Sequence, residues 1–402
     1  MTTRHGKGVC ALADVFSETP LTAIIRDAIK ESIRSGKLDN GEELSAIPFH
    51  QYMKQCLYHH EFGYYRSTAA RVGREGDFYT SAYIGELMGE QLASEISRMA
   101  SEWFARDRAF EIMDWGGGTG RLSRQMLDEW ETRNGTAGQS ERKTDFRITL
   151  VEDNPGHQRV AREQLADYII AGKARVVGSD EGESLLSGER PIFIVANELL
   201  DAFPTYRLVR RNGCLWEWGV ACVENKGLTA CLMEPVDQRL ETWVQRTGLE
   251  LLENQSIEVN LDAADWAEKL AGRLGRGMLL FVDYGDETEE LLAPHRMDGT
   301  LLCYRNHKAH NNPYEVPGEQ DLTSHVNFSH VRQVVERQGW KEQWYGTQKR
   351  FLIESGIMSK LSAHTFMDPF HPVVRRNRAI RQLLLSDGMS ELFKVQLFLK
   401  TE

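Results

Sequence analysis

The chain has 402 residues, 41% of them hydrophobic, enough to bury a large core in one embellished domain or two. Its net charge of −11 argues against a nucleic-acid binder dominated by phosphate contacts and makes a basic peptide the easier partner. No apolar stretch approaches the ~20 residues needed to span a bilayer, so no membrane insertion is expected, and six cysteines without a C-x-x-C pair read as reduced thiols.

Met1 to Phe16 shows no signal-peptide core, which makes a cytoplasmic location the expectation. Thr19 and Pro20 suit a cap and first helical position for a helix from Leu21 to Ser35, with Ile24, Ile25, Ala28, Ile29 and Ile33 on its apolar face. A further helix is predicted over Ile84 to Met99, after the Gly76 to Ser81 loop. Residues 1–109 thus read as an N-terminal helical layer.

Phe110 to Gly120 is an apolar run that reaches an acid and breaks into glycines, the pattern of a strand, a tight turn and a helix start. The dinucleotide fingerprint G-x-G-x-x-G fails, because Arg121 stands where the third glycine belongs. What remains is D-x-G-x-G-x-G over Asp114, Gly116, Gly118 and Gly120, a pattern associated with S-adenosylmethionine (SAM) methyltransferases. A helix over Arg121 to Trp130 and a polar surface insertion, Glu131 to Asp145, lead to a second strand ending at Glu152. After a helical stretch from Pro155 to Ile170, Ala174 to Asp180 and Pro191 to Glu198 are two more strands that turn polar at their carboxyl ends, where open parallel sheets bind ligands. The alternation predicts a doubly wound α/β, Rossmann-like core.

Thr205 to Val223 alternates and carries Asn212-Gly213, so it reads as a hairpin opening an inserted α+β unit over 205–276. The buried run Gly277 to Gly285 returns to the sheet, which makes 110–204 and 277–402 the core. Tyr304 to His325 reads as a long loop of the kind that forms functional lids, and Leu392 to Leu399 as a last strand. His307, His310, His325 and His330 lack a metal-ligand pattern, and no metal site is expected.

Several strings together resemble the MidA-like family, which includes the mitochondrial complex I assembly-factor methyltransferases. They are Pro48-Phe49-His50-Gln51-Tyr52-Met53, Gly76-Asp77-Phe78-Tyr79-Thr80-Ser81, the glycine turn, Asn197-Glu198-Leu199-Leu200-Asp201, Val282-Asp283-Tyr284-Gly285 and Asp321-Leu322-Thr323-Ser324-His325-Val326-Asn327-Phe328. The chain departs from the family with Asp114 where Glu is commoner and Asn327 where an Asp is expected. The resemblance implies a class I SAM-dependent methyltransferase, most specifically a protein-arginine N-methyltransferase acting on a respiratory complex I subunit or another protein. It also implies that Thr80 and Ser81 close over the cofactor from the N-terminal layer.

An arginine acceptor keeps its charge, with a pKa above ~12, so carboxylates must hold the guanidinium and localise its lone pair. Glu198 and Asp201 after the fourth core strand are the candidates, with Asn197 holding the acceptor or the cofactor by its amide. Asp114 is expected to bond the cofactor's ammonium, Glu152 both ribose hydroxyls, and Asp180 with Ser179 the adenine. Alternatives are a small-molecule acceptor lined by aromatics such as Trp103, Tyr284, Tyr304 and Tyr314, and a SAM-binding assembly factor without turnover.

Overall fold

Seven strands of the central sheet set the architecture, seen in a computed structural model describing residues 18–66, 86–136, 144–187, 190–306, 308–385 and 389–402. They are β1 (Ala109–Trp115), β2 (Asp145–Val151), β3 (Ala174–Val177), β4 (Ile192–Asn197), β5 (Gly277–Asp286), β6 (Lys341–Thr347) and β7 (Phe393–Lys400). Their order across the sheet is β6-β7-β5-β4-β1-β2-β3. The strands β1 to β5 run parallel, and β7 is antiparallel to both neighbours. Side chains alternate between two cores. Phe110 and Ile112 of β1, Phe193 and Val195 of β4, and Leu280 and Val282 of β5 enter one. Met113 and Trp115, Ile194 and Ala196, and Leu279 and Phe281 enter the other. Successive strand residues point to opposite faces, so both faces must be covered, here by helices such as Leu87–Trp103 and Arg121–Thr136 on one side and Leu261–Arg273 and Phe328–Arg337 on the other.

The segment from Tyr206 to Val259 builds a second, antiparallel sheet together with two strands near the N-terminus, Ser35–Lys37 and Glu43–Pro48. Cys214–Val223 pairs with both Glu43–Pro48 and Gly227–Met233, and Ser35–Lys37 joins those last two, so four strands close a small ring. Its interior leaves no room for side chains at two positions. A Cβ on Gly36 would lie 2.3 Å from Cys231 Sγ, and one on Gly219 would lie 2.1 Å from Met233 Sδ.

Several elements differ from expectation. The first helix is Pro20–Glu31, with the expected Thr19 cap and Pro20 start, but it stops before Ser35, where a strand begins. The Arg121 helix runs on to Thr136, supported by the Glu129–Arg133 ion pair at 2.8 Å, so the surface insertion is shorter at its N-terminal end. The Pro155 helix breaks at Leu165 into Pro155–Gln164 and Ala166–Ile170. The hairpin turns at Asn212-Gly213 as expected, with both φ positive. Parts of the Tyr304 to His325 stretch join a three-stranded sheet, Leu302–Arg305, Lys308–His310 and Asp321–Thr323, with turns over 311–320 between them; Cys303 and Leu322 anchor it in the apolar cluster of the N-terminal helices. Asn327 caps the helix Phe328–Arg337 by accepting from His330 N at 3.0 Å, a task Asn and Asp perform equally.

Candidate active site

β1 and β4 are neighbours whose chain connections leave in opposite directions, the switch point at which an open sheet splits to admit a ligand. A cavity of ≈ 460 Å³ lies at their carboxyl ends. The glycine turn forms its floor. Gly116 and Gly118 have φ of 72° and 54°, and a Cβ on Gly118 would meet no protein atom within 4 Å, so the turn's backbone lies open to the cavity. Gly120 does not line the cavity; a Cβ there would approach Ala161 and Leu150 at 3.2 Å, so this position serves close packing of the helix that follows.

Two carboxylates flank the turn. Asp114 is 1% exposed and accepts a hydrogen bond from Ser123 Oγ at 2.6 Å; burial pushes its carboxyl up to about 6. Glu152 accepts from Gly118 N at 3.0 Å through one oxygen and from Asn154 N at 2.8 Å through the other. Each oxygen keeps a further acceptor site. Asp153 fixes Ser179 through its amide and hydroxyl, both at 2.8 Å, and Ser179 lines the cavity. Asp180, expected beside the adenine, is instead exposed and is not among the lining residues, because it points outward from the first turn of Ser179–Ser184. Thr80 and Ser81 lie outside the described residues.

The opposite wall is the loop after β4, and Asn197, Glu198 and Asp201 all line the cavity. Asn197 Nδ2 donates to Glu198 Oε1 at 3.2 Å. Asp201 is buried, and its carboxyl is pushed well above the ordinary value by burial first and then by Asp283, Asp321 and Glu198. Neither Glu198 nor Asp201 caps the turn that follows β4. That role is taken by Asp283, whose Oδ2 accepts from the amides of Leu199, Leu200 and Asp201 at 3.0, 2.7 and 3.3 Å. Sequence reasoning assigned no site role to Asp283 or Asp321, although both sit in strings that carried the family resemblance. Asp321 lines the cavity and accepts from Tyr65 OH at 2.8 Å.

The N-terminal region completes the enclosure. Tyr58 OH donates to Ala202 O at 3.0 Å, and Asn154 Nδ2 donates to Tyr65 O at 2.9 Å, so the wall is tied to both halves of the core. Trp115, Phe203 and Trp266 form an aromatic side, with Trp266 5.8 Å from each of the other two rings. The aromatics expected around a small-molecule pocket are elsewhere: Trp103, Tyr284, Tyr304 and Tyr314 do not line the cavity.

The strand order, the glycine turn and the acid at the end of β2 define a Rossmann-like methyltransferase. The chain belongs to the Methyltransf_28 family of S-adenosyl-L-methionine-dependent methyltransferases, whose model matches residues 87–346. It is similar to the Drosophila melanogaster protein named protein arginine methyltransferase NDUFAF7 homolog, mitochondrial, at 27% identity over 316 residues, which span 73% of this chain and 67% of that protein. The Danio rerio protein arginine methyltransferase NDUFAF7 is 27% identical over 337 residues, covering 77% of this chain and 73% of its own. A Burkholderia thailandensis structure bound to S-adenosyl-homocysteine superposes with a TM-score of 0.79 at 25% identity, covering 95% of this chain and 92% of that one.

The site's own chemistry fits this cofactor. Glu152 offers two oxygens to vicinal hydroxyls, the open backbone at Gly118 admits a ligand in contact, and buried Asp114 offers its charge to an ammonium group. SAM supplies an already activated methyl on its sulfonium, so the protein's tasks are to align the acceptor and exclude water.

Proposed function

We propose that the protein methylates an arginine side chain of a protein acceptor. The observation that carries this reading is the convergence of three carboxylate residues, Glu198, Asp201 and Asp321, on the cavity that also holds the glycine turn and Glu152. A carboxylate accepting two guanidinium N–H groups orients the plane and draws positive charge away from the attacking nitrogen. The attacking nitrogen forms its bond to the methyl carbon as the carbon–sulfur bond breaks, and the proton it sheds goes to the Glu198 carboxylate or to solvent beyond it. The names of the two relatives, protein arginine methyltransferases, support an arginine acceptor. A respiratory complex I subunit is the acceptor that the family resemblance implies, and the cytoplasm is the proposed compartment for this chain.

The test is transfer of radiolabelled methyl from SAM into lysate of a strain lacking the gene, followed by hydrolysis. Label recovered as methylarginine in one protein band, absent with Glu198→Gln and Gly118→Val, is the expected result. Label in a small product, or wild-type transfer by Glu198→Gln, overturns the reading.

A further inference from the structure

We propose that Asp283 is the positioning residue of the acceptor site: its carboxylate, by collecting the amide hydrogens of Leu199, Leu200 and Asp201, holds the turn that aims Glu198 and Asp201 into the cavity. The assignment of those two side chains to the acceptor rests on the function proposed above.

Glu198 has a φ of 54°, and every other described residue with a positive φ is glycine or asparagine. A residue with a Cβ is strained in this backbone region and keeps it only where its surroundings over-determine it. Two consecutive residues of β5 supply that determination. Val282 O accepts the Glu198 amide at 2.8 Å, and Asp283 Oδ2 takes the next three amides in turn. The second oxygen, Oδ1, accepts from Tyr284 N at 2.8 Å, so both oxygens are committed to backbone donors. The carbonyls of the same loop are also claimed. Asn260 Nδ2 reaches Leu200 O at 3.0 Å, Ser324 N donates to Asp201 O at 3.1 Å, and Tyr58 OH donates to Ala202 O.

Asp283 is 1% exposed and is not among the residues lining the cavity, so it acts on the acceptor only through the loop. Keeping a carboxylate in the interior is unfavourable, and burial raises its pKa. An apolar residue there would remove the acceptor shared by the amides of Leu199, Leu200 and Asp201, a substantial penalty for the buried ones. The isosteric amide is no remedy, because asparagine has one oxygen. Whichever way it turns, its NH2 faces either the three amides of 199–201 or that of Tyr284. The loop also touches the cofactor side: a Cβ on Gly116 would lie 2.8 Å from Leu199 Cδ1, so Leu199 rests on the glycine turn. One carboxylate thereby holds the acceptor's carboxylates in register with the cofactor floor.

Two measurements test this. In the wild-type chain, amide hydrogen exchange at Leu199, Leu200 and Asp201 is expected to be as slow as in β4 and β5, although these residues lie in an irregular turn; exchange at the rate of an exposed loop overturns the proposal. In Asp283→Asn, S-adenosyl-homocysteine affinity by calorimetry should stay within about threefold of wild type, because its ligands lie on the β1 and β2 side, while methyl incorporation from radiolabelled SAM into the gene-deletion lysate falls by about 10²-fold, the usual effect of misplacing a reacting group. Wild-type incorporation by the variant, or a parallel loss of cofactor affinity, refutes a positioning role. If the wild-type protein labels no arginine, the functional reading fails alone, and the exchange rates still decide the role of Asp283.

Discussion

Replacing Asp114 by asparagine should make the protein more stable and less able to bind its cofactor. Asp114 is 1% exposed, and its carboxylate accepts a hydrogen bond from Ser123 Oγ. Burial lifts its carboxyl from 3.8 to about 6. A folded-state pKa above the unfolded one means that ionisation opposes folding: the penalty is absent below ~4, grows as pH rises towards 6, and is complete above it. A shift of about 2 pH units corresponds to roughly 3 kcal/mol at pH 8. Asparagine keeps the Ser123 bond and removes the charge, but its NH2 lacks a partner, a cost of ~1–3 kcal/mol. The net expectation is a gain of roughly 1 kcal/mol at pH 8, and the advantage should shrink by about 1 kcal/mol on lowering the pH to 5, where wild-type Asp114 is largely protonated. Calorimetric melts of the ligand-free proteins at pH 5 and pH 8 read this directly. Adding S-adenosyl-homocysteine should raise the melting temperature of wild type and leave the variant nearly unmoved, because only the wild type offers an anion to the ligand's ammonium. An Asp114→Asn gain that is the same at both pH values, or a variant that still responds to the ligand, would refute the reasoning.

Gly118→Val should abolish S-adenosyl-homocysteine binding by calorimetry while the fold persists, since the side chain enters the cavity and costs ~1–2 kcal/mol of backbone strain at a φ of 54°; retained binding would show that the turn does not contact the ligand. Gly219→Ala should lower the melting temperature through overpacking of ~1–3 kcal/mol against Met233, without altering cofactor affinity. The acceptor's KM should fall as pH rises above the ordinary carboxylate range, by up to ~10-fold per unit for each proton released. The sign follows because the raised Asp201 carboxyl must ionise to hold a guanidinium, and a cationic acceptor drives that ionisation. A KM that does not change with pH above the ordinary carboxylate range would count against a cationic acceptor.

The parts of the site that the sequence displayed are those in which a backbone requirement and a side-chain type coincide. Glycines at 116 and 118 need positive φ, and Glu152 ends an apolar run, so a local pattern suffices to find them. Asp180 met the same rule of an acid at a strand's end and still faces solvent, because the chain turned into a helix one residue earlier and rotated that position outward. The ring of strands joining residues 35–48 to 214–233 had no comparable signature. Its pairings join residues far apart in the chain, such as Lys37 with Leu232 and Pro48 with Gly219, and its glycines declare themselves only once Cys231 and Met233 are seen against them.

Asp283 shows why the remaining residues escaped. An aspartate near the end of a buried strand is also what a surface-reaching strand end looks like, and its partners are amides, which have no sequence identity. Only the fold reveals that it accepts four of them and that Glu198 needs them. The loop after β4 thus carries Glu198 and Asp201, and β5 supplies the constraint that aims them. A parallel neighbour pair can do this because Val282 pairs with Asn197, the last residue of β4, so the carboxylate of Asp283, one residue on, meets the first amides beyond β4. The positive φ at Glu198 sets the side chain toward the cavity, at the cost of local backbone strain.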